Sequence, residues 1–178
     1  MDWMHVLIPS GDCEATANGK TYALAQFHVH TGSEHKVKGK AQDGEIHFVH
    51  KNTDGTALLV VGLFLKASES ATTDPWLVNF LEALDMVGDD SPVPTTLDSY
   101  STLISQQMTK GHAFNYPGSL TTPPCSEIVD WWVVQKPVSI SSADYERIVS
   151  NLAELDITDH GKNARPVQPL NGRTITVY

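Results

Sequence analysis

The sequence predicts a mainly β fold: a central, twisted, largely antiparallel sheet with a few peripheral helices. Three observations carry this. Residues 21–30 (TYALAQFHVH) and 44–51 (GEIHFVHK) alternate with the two-residue period of strands. Residues 57–65 (ALLVVGLFL) form an apolar run of strand length, as expected for the buried centre of a sheet. Helix signals are confined to 74–87 and 141–155. Residues 1–178 read as a single domain.

Along the chain, alternation over 21–30 places Gln26, His28 and His30 on one face and Ala25, Phe27 and Val29 on the other. The segment 44–51 repeats the pattern, with Glu45, His47 and Val49 on a shared face. A turn at 52–55 (NTDG) leads into the apolar run. A helix begins at 74, where Asp74 caps, Pro75 takes the first helical position, and Trp76, Phe80, Leu84 and Val87 share a side. Residues 88–98 are a Pro-rich, acidic loop, and 115–125 (NYPGSLTTPPC) a rigid turn whose prolines keep it out of a sheet interior. A strand follows at 128–135 (IVDWWVVQ). Ser141 and Asp144 form a capping box for the helix over 141–155, whose apolar stripe is Tyr145, Ile148, Val149 and Leu152. Residues 173–178 (RTITVY) close as a strand.

The formal net charge of −9, with 12 Lys and Arg, argues against nucleic acid and against an acidic membrane surface as partners. The longest apolar run is too short for a membrane span. The first residues lack a basic segment, and their apolar run breaks at Pro9, so no signal peptide is predicted. Two cysteines, Cys13 and Cys125, make no disulfide framework; one bridge between them stays open.

The segment 26–35 (QFHVHTGSEH) holds three of the eight histidines. Neutral imidazole ligates zinc, and catalytic zinc sites take three protein ligands and leave a position open. His28 and His30, two apart on a strand, point the same way, and His47 on the next strand supplies a third ring. Gln26 and Glu45 each precede a candidate ligand by two residues, where they can accept from its other ring nitrogen and fix the tautomer. His35 and His50 face away by alternation and read as structural. Beside such a tripod, Thr121 and Thr122 become candidates for orienting a metal-bound water.

The blocks QFHVHTGSEH, GEIHFVHKN, YPGSLTTPPC and ARPVQPLNGR resemble, in order, the signature blocks of the α-class (eukaryotic-type) carbonic anhydrases. The resemblance runs from about Tyr22 to the C-terminus. It implies Zn2+ on His28, His30 and His47, supported by Gln26, Glu45 and the backbone of Asn163. It implies hydration of CO2 to bicarbonate and a proton by zinc-hydroxide, oriented through a relay from Thr121 to Glu34. Thr122 would line the substrate site, and Val49, Val60, Leu120 and Trp131 would form an apolar wall for CO2.

Against the family pattern, the resemblance leads us to expect that an N-terminal segment of a usual member is missing from this sequence. The proton-shuttle position falls near Asp2, with His5 close by, which implies slow, buffer-dependent turnover. In extracellular members the cysteine after the TTPP block often pairs with one near the N-terminus; the compartment stays open, a secreted or organellar parent being the expectation. Two rival readings are a weakly active or inactive carbonic anhydrase-related binding module and a cupin. For the cupin, HVHTGSE fits the HxHxxxE metal pattern, but Tyr22 stands where a glycine is expected.

Overall fold

The structure, a computed structural model, describes residues 6–7, 13–86 and 97–178. The proposed shuttle positions Asp2 and His5, the break at Pro9, Val87, and most of the acidic loop lie outside the described residues. The elements run β1 (Val6–Leu7), β2 (Glu14–Ala17), β3 (Lys20–Thr31), β4 (Gly44–Lys51), β5 (Leu58–Ser68), α1 (Pro75–Leu84), α2 (Tyr100–Met108), β6 (Ala113–Gly118), β7 (Val129–Ser141), α3 (Ser142–Ala153) and β8 (Thr176–Val177). The strands form one sheet in the order β1-β3-β4-β5-β7-β6-β8, with β2 also on β3. Among the described residues every pairing is antiparallel except β5 with β7.

Alternation sorts the two faces of this sheet. Phe27, Val29, Ile46, Phe48, Leu63 and Leu65 point to one face and are buried with Leu77, Phe80, Leu81, Leu103, Ile148 and Leu152 from the helices. Val49, Val60, Phe64, Trp131 and Val133 point to the other and form a second cluster. Because β5 is covered on both sides, it reads as continuous hydrophobicity rather than alternation. His50 falls on the helix-covered face. Its Nδ1 donates to the Leu59 carbonyl (3.1 Å), and its Nε2 accepts from the Tyr100 hydroxyl.

Four details differ from the sequence reading. The register slips between Leu24 and Gln26, so Leu24 rather than Ala25 joins Phe27 and Val29 in the core. Residues Asn115–Gly118 belong to β6, and the stiff loop starts only after them. Pro117 is tolerated because β8 pairs with Phe114 and Asn115 and stops short of it. β7 runs past Gln135 to Ser141 through an irregularity that holds Pro137, since Leu63 faces Val134 while Leu65 faces Val138. The C-terminal strand shrinks to Thr176–Val177. The pattern also missed the β2–β3 hairpin, although Asn18-Gly19 announces it. Both residues have positive φ (53° and 71°), as a tight type I′ turn requires.

The helix starts follow local chemistry. Asp74 accepts from the Trp76 amide (3.0 Å) with Pro75 beginning α1, and Ser99 caps α2. At α3, Ser141 accepts from the Asp144 amide (3.1 Å), but the return bond differs from a capping box. Thr73 takes the Ser141 amide (2.9 Å) and donates to Asp144 Oδ2 (2.5 Å), which Ser141 Oγ also reaches (2.9 Å). Thr73 thereby ties the approach to α1 to the start of α3. Thr73→Val removes both roles of a buried hydroxyl, and we expect a loss of about 1–3 kcal/mol in urea denaturation. A loss within error would show that the ties do not couple these elements.

Candidate metal centre

β3 presents His28 and His30, and β4 presents His47 directly opposite His28 in the sheet register. Their ring centroids lie 4.9 Å (His28–His30), 5.3 Å (His28–His47) and 4.6 Å (His30–His47) apart. One ring nitrogen from each lies within 4.8 Å of the others, so the three form a group able to hold a metal ion.

In each ring the other nitrogen is engaged. His28 Nδ1 meets Gln26 Oε1 at 2.8 Å, His30 Nδ1 donates to the Asn163 carbonyl at 3.3 Å, and His47 Nε2 donates to Glu45 Oε1 at 3.0 Å. A carbonyl or carboxylate can only accept, so Asn163 and Glu45 place the proton on the bonded nitrogen. The lone pairs are thereby set at His30 Nε2 and His47 Nδ1. Asn163 is itself clamped to β3, its amide nitrogen donating to the Val29 carbonyl (2.9 Å) and its Oδ1 accepting from the Thr31 amide (3.0 Å).

Glu45 is fully buried. Burial alone would raise its carboxyl, yet the neighbouring His35 and His47 hold it well below the usual carboxylate range. His35 donates twice, from its amide to Oε2 (2.9 Å) and from Nδ1 to Oε1 (2.6 Å). Burial opposes a charge on His35, but the Glu45 carboxylate outweighs it and raises the imidazole. His35 Nε2 meets the Tyr116 hydroxyl at 2.6 Å. His35 therefore does not turn away from the tripod as strand alternation predicted. β3 ends at Thr31, and the following turn swings the ring back over Glu45. Gly62 faces His47 across the sheet, and a Cβ there would come within 2.7 Å of Glu45 Oε1. The bare glycine leaves room for the carboxylate.

Glu34 lies beneath the group, with Oε2 3.5 Å from His30 Nε2 and 3.8 Å from His47 Nδ1. Its Oε1 accepts from the Arg165 amide (2.7 Å), and its buried Oε2 has no hydrogen-bond partner among the described residues. Thr121 lines the cleft, but its hydroxyl is not bonded to Glu34 in this structure. The cleft, about 270 Å³, is lined by Gln26, the three histidines, Val49, Val60, Leu120, Thr121, Thr122, Pro123 and Trp131. Of the residues named from the sequence, Gln26, the three histidines, Val49, Val60, Leu120, Thr121, Thr122 and Trp131 line it, while Glu34, Glu45 and Asn163 reach it only through the histidines they contact. His35, Tyr116 and Gly62 were missed; an isolated His, Tyr or Gly carries no spacing signal that would flag it.

Burial, reinforced by His47, pulls the His30 imidazole down to about 4 in the metal-free chain. A depressed histidine keeps its full contribution to stability above its unfolded value of about 6.5 and loses it as pH falls toward the folded value. Metal-free protein should therefore show a urea midpoint that declines between about pH 6.5 and 4, and His30→Asn should flatten that decline. The same slope in both proteins would remove His30 as its source.

A sequence profile described as eukaryotic-type carbonic anhydrase matches residues 9–178. A carbonic anhydrase of Neisseria gonorrhoeae is 33% identical over 172 residues, covering 97% of this chain and 62% of that protein. The fungal α-carbonic anhydrase of Aspergillus oryzae superposes with a TM-score of 0.79 at 31% identity, covering 94% of this chain and 66% of that one. The α-carbonic anhydrase of Thermovibrio ammonificans, solved with the inhibitor sulfanilamide, gives 0.77 at 31% identity, over 96% and 69%. The chain spans less than two thirds of the length of the Neisseria relative. The family uses zinc, and His28, His30 and His47 form a cluster suited to a metal ion. The third donor is His47 from β4, and with the family match this displaces the cupin reading. The chain belongs to the eukaryotic-type carbonic anhydrase family.

Proposed function

We propose that residues 1–178 act as a single carbonic anhydrase domain that reversibly hydrates CO2 to bicarbonate and a proton, with zinc on His28, His30 and His47. The observation that carries this is the convergence of three imidazoles in a cleft that is also lined by apolar side chains. The donor set suits zinc: neutral nitrogens, each ring oriented through its second nitrogen. Zinc bound there would act as a Lewis acid and supply a nucleophile from water at neutral pH.

The chain's own residues do the rest. CO2 has no charge to grip, and Val49, Val60, Leu120 and Trp131 give it a dry surface beside the histidines. Thr122 lines the same pocket and can bond an oxygen of substrate or product. Thr121 orients the nucleophile by accepting its hydrogen bond and passing its own proton to Glu34. Support for that relay is the open Oε2 of Glu34, buried and facing the histidines while Oε1 is anchored by Arg165.

His47→Ala should lose most bound zinc, measured by metal analysis after dialysis. Full occupancy would remove it as a ligand. Thr121→Ala should keep its zinc but hydrate CO2 about 100-fold more slowly, as expected for loss of an oriented hydrogen-bonding group. Unchanged hydration in Thr121→Ala would dismiss the relay. Zinc uptake by the wild-type chain without hydration would favour the binding module.

No titratable side chain other than the three histidines lines the cleft among the described residues. With the shuttle positions near Asp2 and His5 outside the described residues, our reading of slow turnover has the proton leave by way of buffer. Stopped-flow hydration at saturating CO2 should rise with imidazole buffer concentration. A fast, buffer-independent rate would show an internal shuttle.

A further inference from the structure

A second groove, about 300 Å³, lies on the same sheet face as the histidine cleft, beyond His35 and Tyr116. Its floor is apolar: Phe114, Val133, Ile175 and Val177, with the ring of Tyr116. The volume falls at the lower end of the roughly 300–1,000 Å³ of small-molecule sites. β8 ends the sheet and pairs with β6 alone among the described residues. Ile175 and Val177 stay 42% and 56% exposed, side chains that water solvates poorly.

The rim carries charge of one sign. In a chain with 12 basic residues and a net charge of −9, Lys36 and Lys38 both line this groove. The Arg173 guanidinium lies 5.4 Å over the Tyr116 ring. Among the described residues, the Lys and Arg ion pairs are made by Lys66 and Arg147, leaving these lysines able to receive an anion. Lys38 also has a φ of 51°, a conformation that Asn or Gly adopts at less cost. An apolar trough whose lining also includes two lysines matches a ligand that is apolar along its length and anionic at one end. The paucity of donors on the floor disfavours sugars and nucleotides.

We propose that this groove binds an aliphatic monocarboxylate, its chain laid on Phe114, Val133, Ile175 and Val177 and its carboxylate held by Lys36 and Lys38. The site is separate from the histidine cleft and does not require zinc.

Decanoate serves as the probe, titrated by calorimetry into zinc-loaded and chelator-treated protein, with 1-decanol as the uncharged control. One-site binding of decanoate is expected in both states, with 1-decanol weaker. Lys36→Glu with Lys38→Glu should weaken decanoate about tenfold, the scale of a lost charged hydrogen bond, and leave 1-decanol unchanged. Val177→Asp should weaken both. These side chains are exposed, and circular dichroism checks that each variant keeps its fold. Binding seen only with zinc present would place decanoate in the histidine cleft and overturn the proposal. So would affinities that neither variant changes. No decanoate binding, together with a dimer that Val177→Asp dissociates, would show that a second copy covers β8 instead.

Discussion

A carboxylate with no exposure to water has to be kept charged, and the candidate site is arranged around meeting that condition at Glu45. An ionised group so placed is costly unless donors surround it. Here His47, the His35 ring and the His35 backbone all donate to it. In return, Glu45 fixes the tautomer of His47 and the position of His35, and through His35 the Tyr116 hydroxyl. Tyr116 stacks on Trp131, with centroids 6.4 Å apart, so the apolar wall of the cleft connects to the same anion. Gly62 makes the arrangement sterically feasible by yielding the volume that any side chain would fill.

The sheet then divides labour between its faces. On β4, Ile46 and Phe48 pack toward the helices while Glu45, His47 and Val49 face the cleft. The same backbone therefore carries the apolar mass that stabilises the fold and the polar groups that could hold an ion. On β3 the irregularity at Ala25 resets the alternation, so that Leu24 and Phe27 both reach the core before the run Gln26, His28, His30 is established. Rigid strands set the spacing of the donors, whereas a loop, residues 119–125, brings Thr121 and Thr122 into the lining of the same cleft.

Much of this was legible in the sequence because it is written in periodicities. The period of two in 21–30 and 44–51 shows which side chains converge, and the register aligns His28 with His47. Motif resemblance added Glu34 and Asn163, which no periodicity could reach, since Asn163 lies 133 residues from His30. What stayed hidden has other physical origins. α2 has a weakly amphipathic sequence and owes its place to Tyr100, which stacks on Phe48 at 4.3 Å and bonds His50. β6 contains a proline and a glycine and forms because β7 offers it a ladder. The position of His35 follows from a turn geometry that local composition does not encode.

The 133-residue separation between His30 and its carbonyl partner has a temporal side. The β3–β4 hairpin is local and can pair early, bringing His28, His30 and His47 near one another before the segment that carries Asn163 is made. The carbonyl that orients His30 arrives only after the parallel crossover from β5 to β7 and the whole of α3 are in place. An ion captured before that contact forms would meet a loosely held trio of rings, and the tautomer-locked pocket would exist only once Asn163 had docked on β3.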